Sequence, residues 1–107
     1  MIEVRRYLRE ANRSPADDWL VAMRDKVAQA AVRVRIRRME SGNFGDCKPV
    51  GKGVLEVRVD VGAGYRLYCG RRGATLVILL CGGDKRGQHA DIERAKVYWA
   101  DWKRRNK

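Results

Sequence analysis

At 107 residues the chain can build one modest core and no more, so a single domain over residues 1–107 is expected. A 45% hydrophobic and 35% charged composition excludes a disordered chain, and no apolar run reaches membrane-spanning length. The net charge of +11 is spread evenly, +5 over residues 1–53 and +6 over 54–107, which excludes a basic tail as its source and points to a polyanionic partner.

In chain order, Met1 to Leu8 carries Ile2, Val4 and Tyr7 among charges and predicts a short strand at a sheet edge. The opening MIEVRRYLRE has no signal-peptide core, so the expected location is the cytoplasm, with no membrane partner. Ser14-Pro15 with Asp17 reads as a capped helix start. Leu20, Met23, Val27, Ala30 and Val34 then form one apolar stripe, and Val32, Ile36 and Met39 a second, rotated one. The shift predicts either a long helix packed on two sides or a hairpin broken near Arg24 to Lys26, with Gly42 as the stop.

Asn43 to Gly53, punctuated by glycines and Pro49, is expected to be a loop. Three strands follow. Leu55, Val57 and Val59 alternate with Glu56, Arg58 and Asp60, the pattern of a half-buried strand. Tyr65 to Cys69 sets Tyr65, Leu67 and Cys69 on one face and Arg66 with Tyr68 on the other, which reads as polar. Thr75 to Cys81 is continuously apolar and reads as the central strand, ending at Gly82-Gly83-Asp84-Lys85. Ile92, Ala95, Trp99 and Trp102 keep helical spacing in a final helix, where the tryptophans read as core or docking surface rather than a base-stacking platform. The tail KRRNK is expected to fray. The order β-α-α-β-β-β-α gives an α+β fold: a small antiparallel-type sheet with an N-terminal strand, a helical hairpin packed on it and a C-terminal helix.

Cys47, Cys69 and Cys81 are odd in number and lack CxxC spacing, which argues against a disulfide framework or zinc site and for reduced, buried thiols. With one histidine, His89, and no clustered carboxylates, the sequence predicts no metal and no cofactor. Gly82-Gly83 before Lys85 lacks the length and the Ser/Thr of a phosphate-binding P-loop. What remains is three cations on or at the mouth of one sheet: Arg58, Arg66 and Lys85. Strand alternation can put Arg58 and Arg66 on the same face. Such cations can cleave RNA by stabilising the pentavalent phosphorane while the neighbouring 2′-hydroxyl attacks. Further basic residues suited to contacting RNA or a ribosome are Arg33 and Arg37 on the second helical stretch, Lys48 and Lys52 in the loop, and Arg71, Arg72 and Arg86. A solvated charged face is the competing reading for these.

The run GVLEVRVDVGAGYRLYCGRRGATLVILLCGGDK, followed by DIERAKVYWADW, resembles the RelE/ParE superfamily of bacterial toxins, in particular the HigB-like addiction-module killer proteins. The resemblance spans essentially the whole chain. It implies a toxin held inactive by an antitoxin encoded beside it, expected to be a helix-turn-helix protein. RelE and HigB members cleave mRNA on the ribosome without a metal, whereas ParE members poison DNA gyrase. Carried over by position, Arg58, Arg66 (the arginine of GYR) and Lys85 stand where mRNA-cleaving members bear catalytic cations. The tyrosine that RelE carries shortly after its last strand has no counterpart in Gln88-His89-Ala90-Asp91. The general base is therefore open among His89, Asp91, Glu56 and Tyr68. Three functions remain open at this level: a ribosome-associated endoribonuclease, a gyrase-directed toxin, and a catalytically inactive RNA- or antitoxin-binding module.

Overall fold

A computed structural model describes all residues 1–107. The elements are β1 (Glu3–Arg6), a 3-10 turn (Glu10–Asn12), α1 (Pro15–Ala22), α2 (Lys26–Glu40), β2 (Cys47–Gly51), β3 (Val54–Val59), β4 (Tyr65–Arg72), β5 (Leu76–Asp84), a second 3-10 turn (Lys85–Gly87) and α3 (Gln88–Arg105). The α+β class holds. Strand order is β1-β5-β4-β3-β2, antiparallel from β2 to β5, with β1 joining the β5 edge in parallel. The central position thus falls to β4, with β5 next to it. No helix is long and apolar enough to cross a membrane.

The hairpin form of the helical stretch is the one realised. Ser14 Oγ accepts from the Asp17 amide and Pro15 fills the first helical position, while Asp25 caps α2 through the Ala28 amide. α2 ends in a Schellman turn at Gly42 (φ +85°), whose amide donates to the Met39 carbonyl while Asn43 donates to Arg38. The first predicted stripe fails beyond Met23. Val27 and Ala30 are exposed because the break at Met23–Asp25 resets the helical phase, and Ala28, Val32, Ile36 and Met39 face the core instead.

Three further expectations are corrected. Residues 47–51 of the predicted loop form β2, paired antiparallel with β3. Pro49 is tolerated there because β2 is the sheet edge, where one side needs no amide donor. The KRRNK tail does not fray at its start: α3 runs to Arg105, whose guanidinium bonds the Leu8 carbonyl. Finally, β3 is not half-buried and the Arg66–Tyr68 face of β4 is not polar, since both faces of the sheet are covered.

α1 and α2 lay Leu20, Met23, Ala28, Val32 and Met39 on one face, over Val57, Val59, Leu67, Cys69, Val77 and Leu79. α3 covers the other with Ala95, Trp99 and Trp102, over Val54, Tyr68, Ile78 and Leu80. The two tryptophan rings stack at 5.2 Å within this core. Each fully buried Leu or Ile contributes about 1.5–3 kcal/mol, so this double coverage explains why β5 is apolar without alternation. A bulge in β5 sets Tyr68 opposite Cys81 but Cys69 opposite Leu79, which turns both Leu80 and Cys81 toward α3.

Candidate active site

The sheet register builds the site. Glu56 on β3 lies directly opposite Tyr68 on β4, and Arg58 directly opposite Arg66, which in turn faces Gly83 on β5. All these side chains stand on the face that α3 covers, with its N-terminal turn above them. Lys48, opposite Glu56 on β2, extends the same row to the exposed edge.

Glu56 is fully buried and is the hub. Its Oε2 accepts from Tyr68 Oη at 3.1 Å and from Gln88 Nε2 at 2.8 Å, and its Oε1 accepts from Arg58 Nε at 3.3 Å. Arg66 Nε stands 3.8 Å away, an ion pair too long for a hydrogen bond, and no other group bonds that buried nitrogen. Two arginines facing each other across a ladder would repel; the carboxylate set against both offsets this. Burial pushes the Glu56 carboxyl up. The bonds from Gln88, Arg58 and Tyr68 and the Arg66 charge outweigh that, and the carboxyl is held below its usual range. Tyr68 moves the other way: burial, then the neighbouring carboxylate, raise its phenol well above the ordinary value.

Arg66 is 9% exposed, whereas the Arg58 side chain is about a third open, at 35%. Lys85 follows β5 in the second 3-10 turn and is exposed, with no ion pair of its own. His89 sits exposed in the first turn of α3, and its ring makes no hydrogen bond. Asp91 is buried against Gly83, where any Cβ would overlap its carboxylate, and it accepts from Arg94 Nη2 at 2.6 Å. Burial raises the Asp91 carboxyl, partly offset by Arg94.

The other basic residues do not converge. Arg33 and Arg37 lie on α2, in the layer on the opposite side of the sheet. Arg71 and Arg72 occupy the far end of β4, roughly 20 Å along the strand from Arg66, against Phe44 and Trp102 respectively. Lys52 is exposed in the β2–β3 turn, and Arg86 pairs with Asp84 at 3.0 Å. Gln88 is the site residue that sequence reasoning missed. An amide at a helix start carries no local signal of a partner 32 positions earlier.

Residues 18–102 match the family described as Phage derived protein Gp49-like (DUF891). The chain belongs to that family. An uncharacterized protein of Haemophilus influenzae is 48% identical over 81 residues, covering 76% of this chain and 82% of that one. The Gp49-like family is associated with toxin–antitoxin modules and related to RelE-type toxins. The matched span of this Gp49-like chain holds the whole Glu56 cluster and α3 as far as Trp102, and leaves out β1.

Proposed function

We propose that this Gp49-like protein is the toxin of a type II toxin–antitoxin pair and cleaves mRNA on the ribosome without a metal, a reading that places it in the HigB-like branch of the RelE/ParE superfamily. The observation that carries the reading is the Arg58–Arg66 cross-strand pair, both arginines set against buried Glu56 beneath the start of α3. A gyrase-binding surface gives no reason to gather cations on the sheet and anchor them to a buried carboxylate. In this reading the charge that builds on the phosphorane oxygens is met by these cations.

In the proposed reaction the 2′-hydroxyl attacks the adjacent phosphorus, and Arg58, Arg66 and Lys85 stabilise the charge on the phosphorane. The bond to the 5′-oxygen breaks and that oxygen takes up a proton from solvent, leaving a 2′,3′-cyclic phosphate and a 5′-hydroxyl. Glu56 is a positioning residue. Its low pKa and its filled hydrogen bonds make it an orienter of arginines rather than a proton acceptor. Tyr68 gives its hydrogen to Glu56, and Asp91 is engaged by Arg94. Of the four candidate bases this leaves His89, whose ring is unengaged, to take the 2′-hydroxyl proton. The expected partners are the ribosome with mRNA and an antitoxin with an acidic docking surface, toward which a +11 body would be steered.

The test is to add the protein to translating ribosomes and map the mRNA ends. Cleavage with 5′-hydroxyl and 2′,3′-cyclic phosphate ends supports the proposal. Ends bearing 5′-phosphate, or growth arrest with intact mRNA, refute it.

A further inference from the structure

The largest cavity of the molecule, about 550 Å³, lies beside the cluster rather than within it. It opens where β1 stops: β1 pairs with β5 only as far as Leu79, and the chain then turns away, leaving Cys81 and Gly82 as the cavity floor. Its walls are α1, the first 3-10 turn and α3. Two adjacent glycines make this architecture possible. A Cβ on Gly82 would overlap the face of the Trp19 ring, and one on Gly83 would overlap Asp91 from the other side of the sheet. Trp19 lines the cavity directly. Asp91, seated on Gly83, holds Arg94 at 2.6 Å, and Arg94 lines the cavity too.

Two more guanidiniums, each fixed by a different anchor, line the cavity together with the carboxylates of Glu10 and Asp18, so the three arginines outnumber the acids by one. Arg13 is forked onto Asp18 at 2.8 and 3.2 Å, and Arg9 lies over the Tyr98 ring, 5.9 Å from its centroid. Between them on the rim, Ala11 takes a left-handed backbone (φ 58°).

We propose that this cavity binds one unpaired ribonucleotide, the base stacked on Trp19 and the phosphate held by Arg94 and Arg13. A flat indole braced from behind offers the sequence-tolerant platform that single-stranded bases use, and oriented guanidiniums match phosphate oxygens. The volume falls within the range of small-molecule sites. Gly82 neighbours Gly83, and Gly83 faces Arg66, so the cavity lies roughly 10 Å, two strand spacings, from the arginine pair. The proposal rests on the RNA-directed reading above and adds a subsite that grips a nucleotide close to the reacting phosphate.

The test uses the full chain and needs no cleavage. Nucleoside 5′-monophosphates are titrated by calorimetry and by tryptophan fluorescence, with inorganic phosphate and an oligoglutamate peptide as comparison probes. The wild type should bind at least one mononucleotide saturably at millimolar concentration or below. Arg94→Gln should weaken binding about tenfold. Trp19→Phe should abolish the fluorescence change while calorimetric binding persists, and thermal melts should show both variants folded. Arg66→Ala should keep mononucleotide binding even as it loses cleavage. Absent mononucleotide binding, binding indifferent to Arg94→Gln, phosphate binding as tight as nucleotide, or preference for the acidic peptide would each overturn the proposal. Failure here with intact Arg66-dependent cleavage removes the subsite alone; nucleotide binding without cleavage removes the nuclease reading alone.

Discussion

Tyr68 donates its phenolic hydrogen to Glu56 Oε2 at 3.1 Å, directly across the β3–β4 ladder and inside the layer that α3 closes. The pair couples the sheet's cations to its core. Glu56 orders Arg58 and faces Arg66, and Gln88 ties the same carboxylate to the start of α3.

Removing the Glu56 charge should therefore destabilise the fold rather than only alter a surface. Glu56→Gln leaves two arginines facing each other without their counter-charge and should cost about 3 kcal/mol in urea unfolding. Tyr68→Phe deletes a single donor and should cost about 1 kcal/mol. Equal stability of Glu56→Gln and wild type would contradict the hub role.

The pH dependence follows from the same group. The folded-state pKa of Glu56 is depressed, so its stabilisation is complete above the unfolded value, about 4.3, and is lost as pH falls through the folded one. Asp84, through the Arg86 side chain, and Asp101, through the Tyr7 hydroxyl, are lowered likewise. Asp91, raised by burial, acts oppositely and costs stability as pH climbs from its unfolded value toward its folded one. Thermal melts should show wild-type stability falling below about pH 4, with a shallower fall in Glu56→Gln. An unchanged slope in that variant would count against the assignment.

Much of this was legible in the residues. Alternation through Val54–Val59 and Tyr65–Cys69 located two strands and put Arg58 and Arg66 on one face, as the register confirms. Ser14-Pro15 marked a helix start, and the Ala95–Trp99–Trp102 spacing marked the buried side of α3. What stayed hidden depends on closure across the chain. Alternation reads Glu56 as solvent-facing, because nothing near it announces that α3 will cover that face. The edge strand β2 was masked by Pro49 and Gly51, whose turn-like chemistry an edge tolerates. The cavity needs β1 to end, two glycines to admit side chains from opposite faces, and α1 to meet α3; no single stretch encodes that.

Glycine substitutions probe that construction. Gly83→Ala drives a methyl into the buried Asp91 carboxylate, and Gly70→Ala drives one into the face of Trp99. Each should cost about 1–3 kcal/mol by chemical denaturation. Gly73→Ala meets no neighbour within 4 Å, but its φ of +62° limits the expected cost to backbone strain of about 1 kcal/mol. A neutral Gly83→Ala would show that Asp91 does not sit where the structure places it.

Thiol reactivity offers an independent check of the two cores. Burial pushes the Cys69 thiol up to about 12 and the Cys81 thiol to about 11, while Cys47 is half-buried on the edge strand. A disulfide reagent at neutral pH should therefore label Cys47 alone in the native protein and all three cysteines in denaturant. Rapid native labelling of Cys69 would mean that the α1–α2 layer opens.

The central claim is that the Arg58–Arg66 pair stabilises a reacting phosphate, and Arg66 tests it most directly. Because Arg66 is buried, the rate must be read beside a thermal melt of the same preparation. Arg66→Ala should remain folded, since Arg58, Tyr68 and Gln88 still engage the Glu56 carboxylate. Its rate of mRNA cleavage on ribosomes should fall by roughly 10²–10³-fold. Arg66→Lys should recover little of it, because an ammonium cannot reproduce the guanidinium fork. A folded Arg66→Ala protein that cleaves at the wild-type rate would contradict the account.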